Sequence, residues 1–161
     1  MDNIIDTAAY IIRRYREVAE EQLDEMKLHK LLYFTQREAL AITGEPAFAE
    51  VFEGWKYGPV SREVRSAYCG GEIIVETKEV SDGLKYIVNN VIDEYGAIAS
   101  WKLSKLSHKE TSWENARAGL KAGENGNRPL KLEDIRADAA KVRPYDHVWD
   151  MYYDEFEDAA Q

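Results

Sequence analysis

EGWKYGPV, residues 53–60, is the stretch of this chain that says most about its fold. Gly58 can adopt backbone angles that are closed to other residues, and Pro59 presets the angle that the first turn of a helix requires. The stretch therefore predicts a tight junction that opens a helix at Pro59. Three bulky side chains come just before it: Trp55, Lys56 and Tyr57. We expect the Trp55 indole to belong to the core; the alternative is that the stretch forms a surface for a partner.

Two amphipathic helices are predicted upstream. The first begins at Asp2 or Asn3 and runs to about Ala19, because apolar residues recur there at three- and four-residue steps. The second runs from about Asp24 to Ile42 and stops at Gly44, a favoured residue just past a helix end. Three basic residues fall outside its apolar stripe: Lys27, Lys30 and Arg37.

Downstream, Glu72 to Val80 is the one clear strand candidate, because Ile73, Ile74 and Val75 favour strands. A lone strand leaves its backbone groups unpaired, so we expect it to pair with the extended stretch before Trp55. The third helix is expected to end before it, by Gly70-Gly71.

The remaining helices follow from apolar periodicity and from capping residues. Ser81 is predicted to cap a helix that ends at about Tyr95, and a short helix follows over residues 97–106. Thr111 and Glu114 have the spacing of a capping box, which places a helix start at Thr111. The last two helices are predicted over residues 132–142 and 144–159. The fold class is therefore mainly α, one compact domain of six to eight helices with a small hairpin or short antiparallel sheet.

Composition and charge limit the function classes. The chain has 161 residues, 45% hydrophobic and 32% charged, and a net charge of −9. Residues 144–161 hold six acids and no lysine or arginine, so they carry −6 and the rest of the chain carries −3. So little basic charge argues against holding a phosphate backbone across a broad face, whereas the acidic segment would attract a basic protein. We expect this segment to be a helix docked on the domain formed by residues 1–143.

The cellular setting is expected to be the cytoplasm. The single cysteine, Cys69, allows no internal disulfide, which is typical of a reducing compartment. The N-terminus has acids before its apolar residues and arginines after them, the reverse of a secretory signal. No apolar stretch approaches the roughly 20 residues that span a bilayer.

Few residues suggest catalysis, and none suggests a cofactor or a metal. The three histidines, His29, His108 and His147, lack metal-ligand spacing, and no glycine loop has the pattern that cradles phosphate. The best acid/base cluster requires the two junctions to meet in space, and its members are Glu53, Tyr57, His108, Lys109 and Glu110.

Three segments in their order and spacing resemble the Panacea domain, the SocA-like antitoxin family that includes phage-associated proteins. They are KLHKLLYFTQREALAITGEPAF at 27–48, the junction at 53–60, and LSKLSHKETSWENAR at 103–117. The resemblance runs from about Asn3 to Ala140. It implies a mainly helical protein that neutralises a toxin by direct protein contact. Many relatives carry an additional DNA-binding module. Here the domain and its acidic tail account for the chain, so we do not expect autonomous operator binding.

The leading hypothesis is therefore a non-enzymatic antitoxin, in a toxin–antitoxin heterocomplex or as a homo-oligomer. The alternatives are a nucleic-acid-binding regulator that uses Arg13, Arg14, Arg16, Lys27 and Lys30, which the acidic total disfavours, and a small acid/base enzyme. Candidate partner-binding residues come from the three segments and from the acidic tail: Lys30, Tyr33, Trp55, Lys56, Tyr57, His108, Trp113, Asp150, Asp154 and Glu155.

Overall fold

The structure, a computed structural model, describes residues 1–142, and within them it is mainly helical. Seven helices occur in this part of the chain: α1 (Ile4–Ala19), α2 (Glu25–Thr43), α3 (Arg62–Ala67), α4 (Asp82–Tyr95), α5 (Ser100–Ser107), α6 (Thr111–Ala116) and α7 (Leu132–Ala140). Four short strands form two antiparallel pairs: β1 (Glu53–Trp55) with β2 (Gly58–Val60), and β3 (Tyr68–Cys69) with β4 (Glu72–Ile73). The predicted fold class is confirmed. The helix predicted over residues 144–159 lies outside the described residues.

Helix α2 is the centre of the fold, and every residue from Lys27 to Leu40 on it is buried. Helices α1, α4, α5 and α7 pack around it. A helix covered on all sides needs no single apolar stripe, and this explains how Lys27, Lys30 and Arg37 are buried although they fall outside the stripe. Each of them meets a polar partner, because a buried charge without one is costly. Lys27 Nζ, for example, donates to the carbonyl of Gly96 at 2.8 Å.

The long helices begin and end as predicted. Asn3 caps α1, with its side chain accepting from the amide of Ile5 at 2.7 Å, and Asp24 caps α2 by accepting from the amide of Lys27 at 2.8 Å. Gly44 ends α2 in the left-handed conformation at φ 78°. Ser81 caps α4, which ends at Tyr95 before Gly96. Local capping chemistry therefore sets these boundaries.

The third helix and the strands differ from prediction. Pro59 does not open a helix but lies in β2, opposite Gly54 of β1, and α3 begins at Arg62 with Ser61 as its cap. The strand predicted over 72–80 covers only Glu72–Ile73, and it pairs with Tyr68–Cys69 and not with the stretch before Trp55. Both pairs are tight hairpins, because a close neighbour along the chain is the cheapest partner for a short strand to find.

The predicted capping box at Thr111 is also wrong. Thr111 is already the first helical residue of α6, and neither it nor Glu110 caps the helix through its side chain. The buried carboxylate of Asp138, on α7, does so instead: it accepts from the amides of Thr111 at 2.8 Å and Ser112 at 2.9 Å. A residue 27 positions later thus satisfies the backbone donors that a local cap would satisfy.

Among the helices of residues 1–142, none combines the length and the apolar character that a membrane span requires.

Candidate functional site

The three segments that carry the resemblance meet at the turn between β1 and β2. Three alternate backbone carbonyls, those of residues 55, 57 and 59, each accept a hydrogen bond from a side chain elsewhere. Trp113 Nε1 of α6 donates to the carbonyl of Trp55 at 2.7 Å, and Ser104 Oγ of α5 donates to that of Tyr57 at 2.5 Å. Lys30 Nζ of α2 donates to that of Pro59 at 3.2 Å. Since the two junctions meet, the turn is fixed by all three segments at once.

Gly58 allows this close approach. Its φ is +116°, a conformation that L side chains rarely adopt, and a β-carbon there would lie 2.6 Å from Lys30 Cε. The backbone of the turn therefore rests directly on the Lys30 side chain. This contact presents Lys56 and Tyr57 at the tip of the hairpin, where the Tyr57 side chain is 55% exposed.

Trp55 is half-buried, so the expectation of a core indole is wrong. Its Nε1 donates to Glu53 Oε1 at 2.9 Å, and the guanidinium carbons of Arg62 and Arg65 lie 5.6 and 5.2 Å from its ring centre. Arg62 in turn donates twice to the Glu53 carboxylate. The indole thus belongs to a surface cluster of aromatic and charged groups in which cation–π contacts orient its ring.

His108 and Trp113 lie on the other side of the turn. Their rings stack at 4.1 Å with an angle of 8° between their planes, and both side chains are half-buried. Burial lowers the pKa of His108, and the positive charges of Lys30 and Arg117 act in the same direction. The ring therefore stays neutral at neutral pH and supports Trp113, which holds the turn.

Lys30 is the most unusual charged group at the turn. Only 1% of its surface is exposed, and within residues 1–142 the ammonium group makes one hydrogen bond, to the carbonyl of Pro59. Burial lowers the pKa of this amine to about 7, and the nearby carboxylates of Asp24 and Glu25 offset only part of that effect.

This lowered pKa predicts a pH dependence of stability. In the unfolded chain Lys30 returns to its ordinary pKa of 10.5, so between pH 7 and 10.5 the unfolded state binds the extra proton and stability rises with pH. Lys30→Met removes this titration. We expect the free energy of unfolding of the parent to rise relative to that of Lys30→Met from pH 7 to pH 10, measured by urea denaturation. Lys102→Met, at an exposed position on α5, is the control, and its free energy of unfolding should change with pH as that of the parent does. If the difference in free energy of unfolding between the parent and Lys30→Met does not change with pH, the pKa of Lys30 is not lowered in the folded protein.

His29 is buried one residue before Lys30 and is fully engaged. Its Nδ1 accepts from the amide of Ser61 at 3.2 Å, so its Nε2 carries the proton and donates to Glu25 at 3.0 Å. Burial lowers the pKa of His29 to about 4, against the opposing effect of Glu25. Glu25 also accepts from Arg65 at 2.9 Å. Its carboxylate is thus shared between two donors.

A cleft of about 710 Å³ opens beside the turn. It lies between the first half of α2, the turn and the loop at 125–127, and the side chains around it are Glu25, Met26, His29, Lys30, Trp55, Lys56, Tyr57, Val60, Arg65, Asn125 and Asn127. Arg117 holds the far wall: it is buried, donates to the carbonyl of Gly54 at 3.1 Å, and also donates to that of Glu124. Sequence reasoning missed this wall, since nothing in the local sequence links residues 54 and 126.

Tyr33, another candidate, is buried in a polar network between α2, α6 and α7. Its hydroxyl lies 2.9 Å from Ser112 Oγ and donates to Asp138 Oδ2 at 3.1 Å. Arg37, one turn later, pairs with Glu110 and donates to the hydroxyl of Tyr95 at 2.7 Å. Burial raises the pKa of Tyr33, so its hydroxyl keeps its proton. Tyr33 thus joins three helices in the interior.

The groups of the alternative functions have other partners. Arg13, Arg14 and Arg16 each pair with a carboxylate: Glu79, Glu17 and Glu72 respectively. Of the suggested acid/base cluster, Glu53 is held by Arg62 and Glu110 by Arg37. Within residues 1–142 no three His, Cys, Asp or Glu side chains are grouped so that they could hold a metal ion. The candidates Asp150, Asp154 and Glu155 lie outside the described residues.

Comparison with known families gives one match. The sequence model of a family described as "Antitoxin SocA-like, Panacea domain" matches residues 28–114, just over half of the chain. This range contains the turn and the three side chains that donate to the carbonyls of Trp55, Tyr57 and Pro59. No curated protein and no solved structure matches the chain.

Proposed function

This chain belongs to the family of SocA-like antitoxins with a Panacea domain, and on that basis we propose that it neutralises a cognate protein toxin by direct contact, without catalysis of its own. Family membership carries the proposal. The two alternatives have less support, because the arginines of α1 are paired with carboxylates and the suggested acid/base groups are held by separate partners.

The β1–β2 turn is the best candidate for the toxin-binding surface. It offers two features that are enriched at energetically important interface positions: aromatic rings, one exposed and one half-buried, and arginines. Tyr57 stands at the tip with Lys56 Nζ 5.0 Å from its ring centre, and Trp55 lies beside Arg62 and Arg65. Because buried contacts hold the backbone of the turn, little conformational entropy is lost when a partner binds it.

The deciding experiment uses the gene next to the one that encodes this chain. We expect that gene, expressed alone, to stop growth, and this chain to restore growth and to co-purify with its product. If the neighbouring gene is harmless, or if growth is restored without any complex forming, the proposal of neutralisation by direct contact fails.

Tyr57→Ala tests whether the turn is the binding surface. Because the ring is 55% exposed, we expect the free energy of unfolding to change by about 0.5 kcal/mol at most. Toxin binding should weaken by about tenfold or more if Tyr57 is an interface anchor, as measured by titration calorimetry. Ile74→Ala, an exposed apolar residue next to β4, is the control and should bind as the parent does. Equal affinities of the two variants would rule out the turn.

The acidic segment at 144–161 is the second candidate surface, because toxins that act on nucleic acids or nucleotides commonly present a basic site. Replacing Asp150, Asp154, Glu155 and Asp158 by Asn or Gln should slow toxin association at low ionic strength and flatten its salt dependence. Stopped-flow or surface-based kinetics at several salt concentrations measures both effects. Kinetics that match the parent at every concentration would leave the segment without a role in recognition.

A further inference from the structure

Lysines without a paired carboxylate in the described part of the chain line the cleft beside the β1–β2 turn. Two lysines line it, Lys30 and Lys56, and within residues 1–142 no carboxylate oxygen lies within 4.0 Å of either ammonium group. An ammonium has three donors. Lys30 Nζ uses one of them, on the carbonyl of Pro59, and its other donors find no acceptor within residues 1–142. Lys30 is also one of the residues that line the cleft.

The other charged groups of the cleft are already satisfied. Glu25 accepts hydrogen bonds from both Arg65 and His29, so its negative charge offsets the positive charge of Arg65 and the three groups together carry little net charge. The unpaired charge of the cleft is therefore positive, in a chain whose net charge is −9. Such a local excess of basic groups favours an anionic ligand, since an anion that accepts from Lys30 would also favour the charged form of its amine, whose pKa burial lowers to about 7.

Most of the other side chains of the lining are apolar or aromatic; the exceptions are Asn125 and Asn127 of the loop. Trp55, Val60 and Met26 provide apolar surface, and the volume of about 710 Å³ is that of a site for a small molecule. The walls are also held in place: Gly58 rests on the Lys30 side chain, and Arg117 ties the loop at 124–126 to β1. A preformed site loses less entropy when it binds a ligand.

We propose that this cleft binds a small aromatic anion, a planar ring that carries a phosphate or carboxylate group. The anionic group lies between the ammonium groups of Lys30 and Lys56, and the ring lies against Trp55. The residues and shape of the cleft support this site, and it does not depend on whether the protein neutralises a toxin.

The test uses the full chain, labelled with ¹⁵N, and four probes: phenyl phosphate, benzoate, inorganic phosphate and the uncharged benzyl alcohol. For ligands of this size we expect dissociation constants from the millimolar to the high micromolar range. Phenyl phosphate or benzoate should shift the indole signal of Trp55 and the amide signals at 125–127. Benzyl alcohol and inorganic phosphate should bind more weakly, because each lacks one half of the recognised chemistry.

Lysine variants test which side chains bind the anionic group of the probe. Lys30→Met and Lys56→Met should each weaken binding of the better anionic probe by about tenfold, the loss expected for one charge-assisted hydrogen bond. Lys105→Met, at an exposed lysine on α5 outside the cleft, should bind as the parent does. If Lys30→Met does not fold, Lys56→Met at the turn decides the matter.

Three results would overturn the proposal. One is that benzyl alcohol binds as tightly as the anions, which would make the cleft merely apolar. Another is that Lys56→Met and Lys105→Met have equal effects, which would indicate attraction by surface charge in general. The third is that no probe shifts the Trp55 indole at millimolar concentration.

Discussion

Asp138→Ala should lower the free energy of unfolding by about 4 kcal/mol, a loss reserved for buried polar networks. The Asp138 carboxylate is 2% exposed and accepts three hydrogen bonds: from the amides of Thr111 and Ser112, and from the hydroxyl of Tyr33 at 3.1 Å. Alanine leaves two backbone donors of α6 and one hydroxyl without their acceptor. Chemical denaturation measures the loss, and amide exchange should become faster in α6.

The control for this prediction is Asp93→Ala. Asp93 is exposed on α4, so its replacement should change stability by no more than about 0.5 kcal/mol. If Asp138→Ala unfolds at the same denaturant concentration as Asp93→Ala, the carboxylate does not cap α6 in solution.

Gly58→Ala should destabilise the protein by about 3 kcal/mol, from two separate causes. A φ of +116° is strained for alanine, which costs about 1 to 3 kcal/mol. In addition, the new methyl group would lie 2.6 Å from Lys30 Cε and closer still to Ser107 Oγ, and both of these side chains are buried. The loss is measured from the denaturation midpoint and slope.

Gly119→Ala separates the two causes. Gly119 also has a positive φ, +83°, but a β-carbon there meets nothing within 4 Å. Its replacement should therefore cost only the backbone strain, about 1 kcal/mol. Equal losses for Gly58→Ala and Gly119→Ala would show that the turn is not packed closely against Lys30 and Ser107.

Short elements were the hardest to predict. The capping chemistry of α1, α2 and α4 is local, and these helices are long enough for their apolar periodicity to be clear. In contrast, Pro59 is compatible both with a helix start and with an edge strand. The choice depends on β1, which pairs with it, and on Lys30, which binds its carbonyl.

The same difference applies to the candidate site. The three segments that meet at the turn can be recognised from their residues and order, and with them Lys30, Lys56, Tyr57, His108 and Trp113. The structure adds groups from distant positions that contact these segments. Asp138 accepts from the amide of Ser112, Arg117 donates to the carbonyl of Gly54, and the loop at 125–127 lines the cleft. It also separates the exposed Tyr57 from the buried Tyr33, which the sequence treats alike.

By itself, then, the sequence determined the helical class, the ends of the long helices and the family, because caps, periodicity and short motifs are all encoded within a few residues of each other. Tertiary structure alone decided that Lys30 is buried beneath Gly58, that Asp138 caps a helix 27 residues earlier, and that a cleft with unpaired lysines lies beside the turn. Burial and capping at such distances depend on which surfaces meet, and the order of residues along one segment does not contain that information.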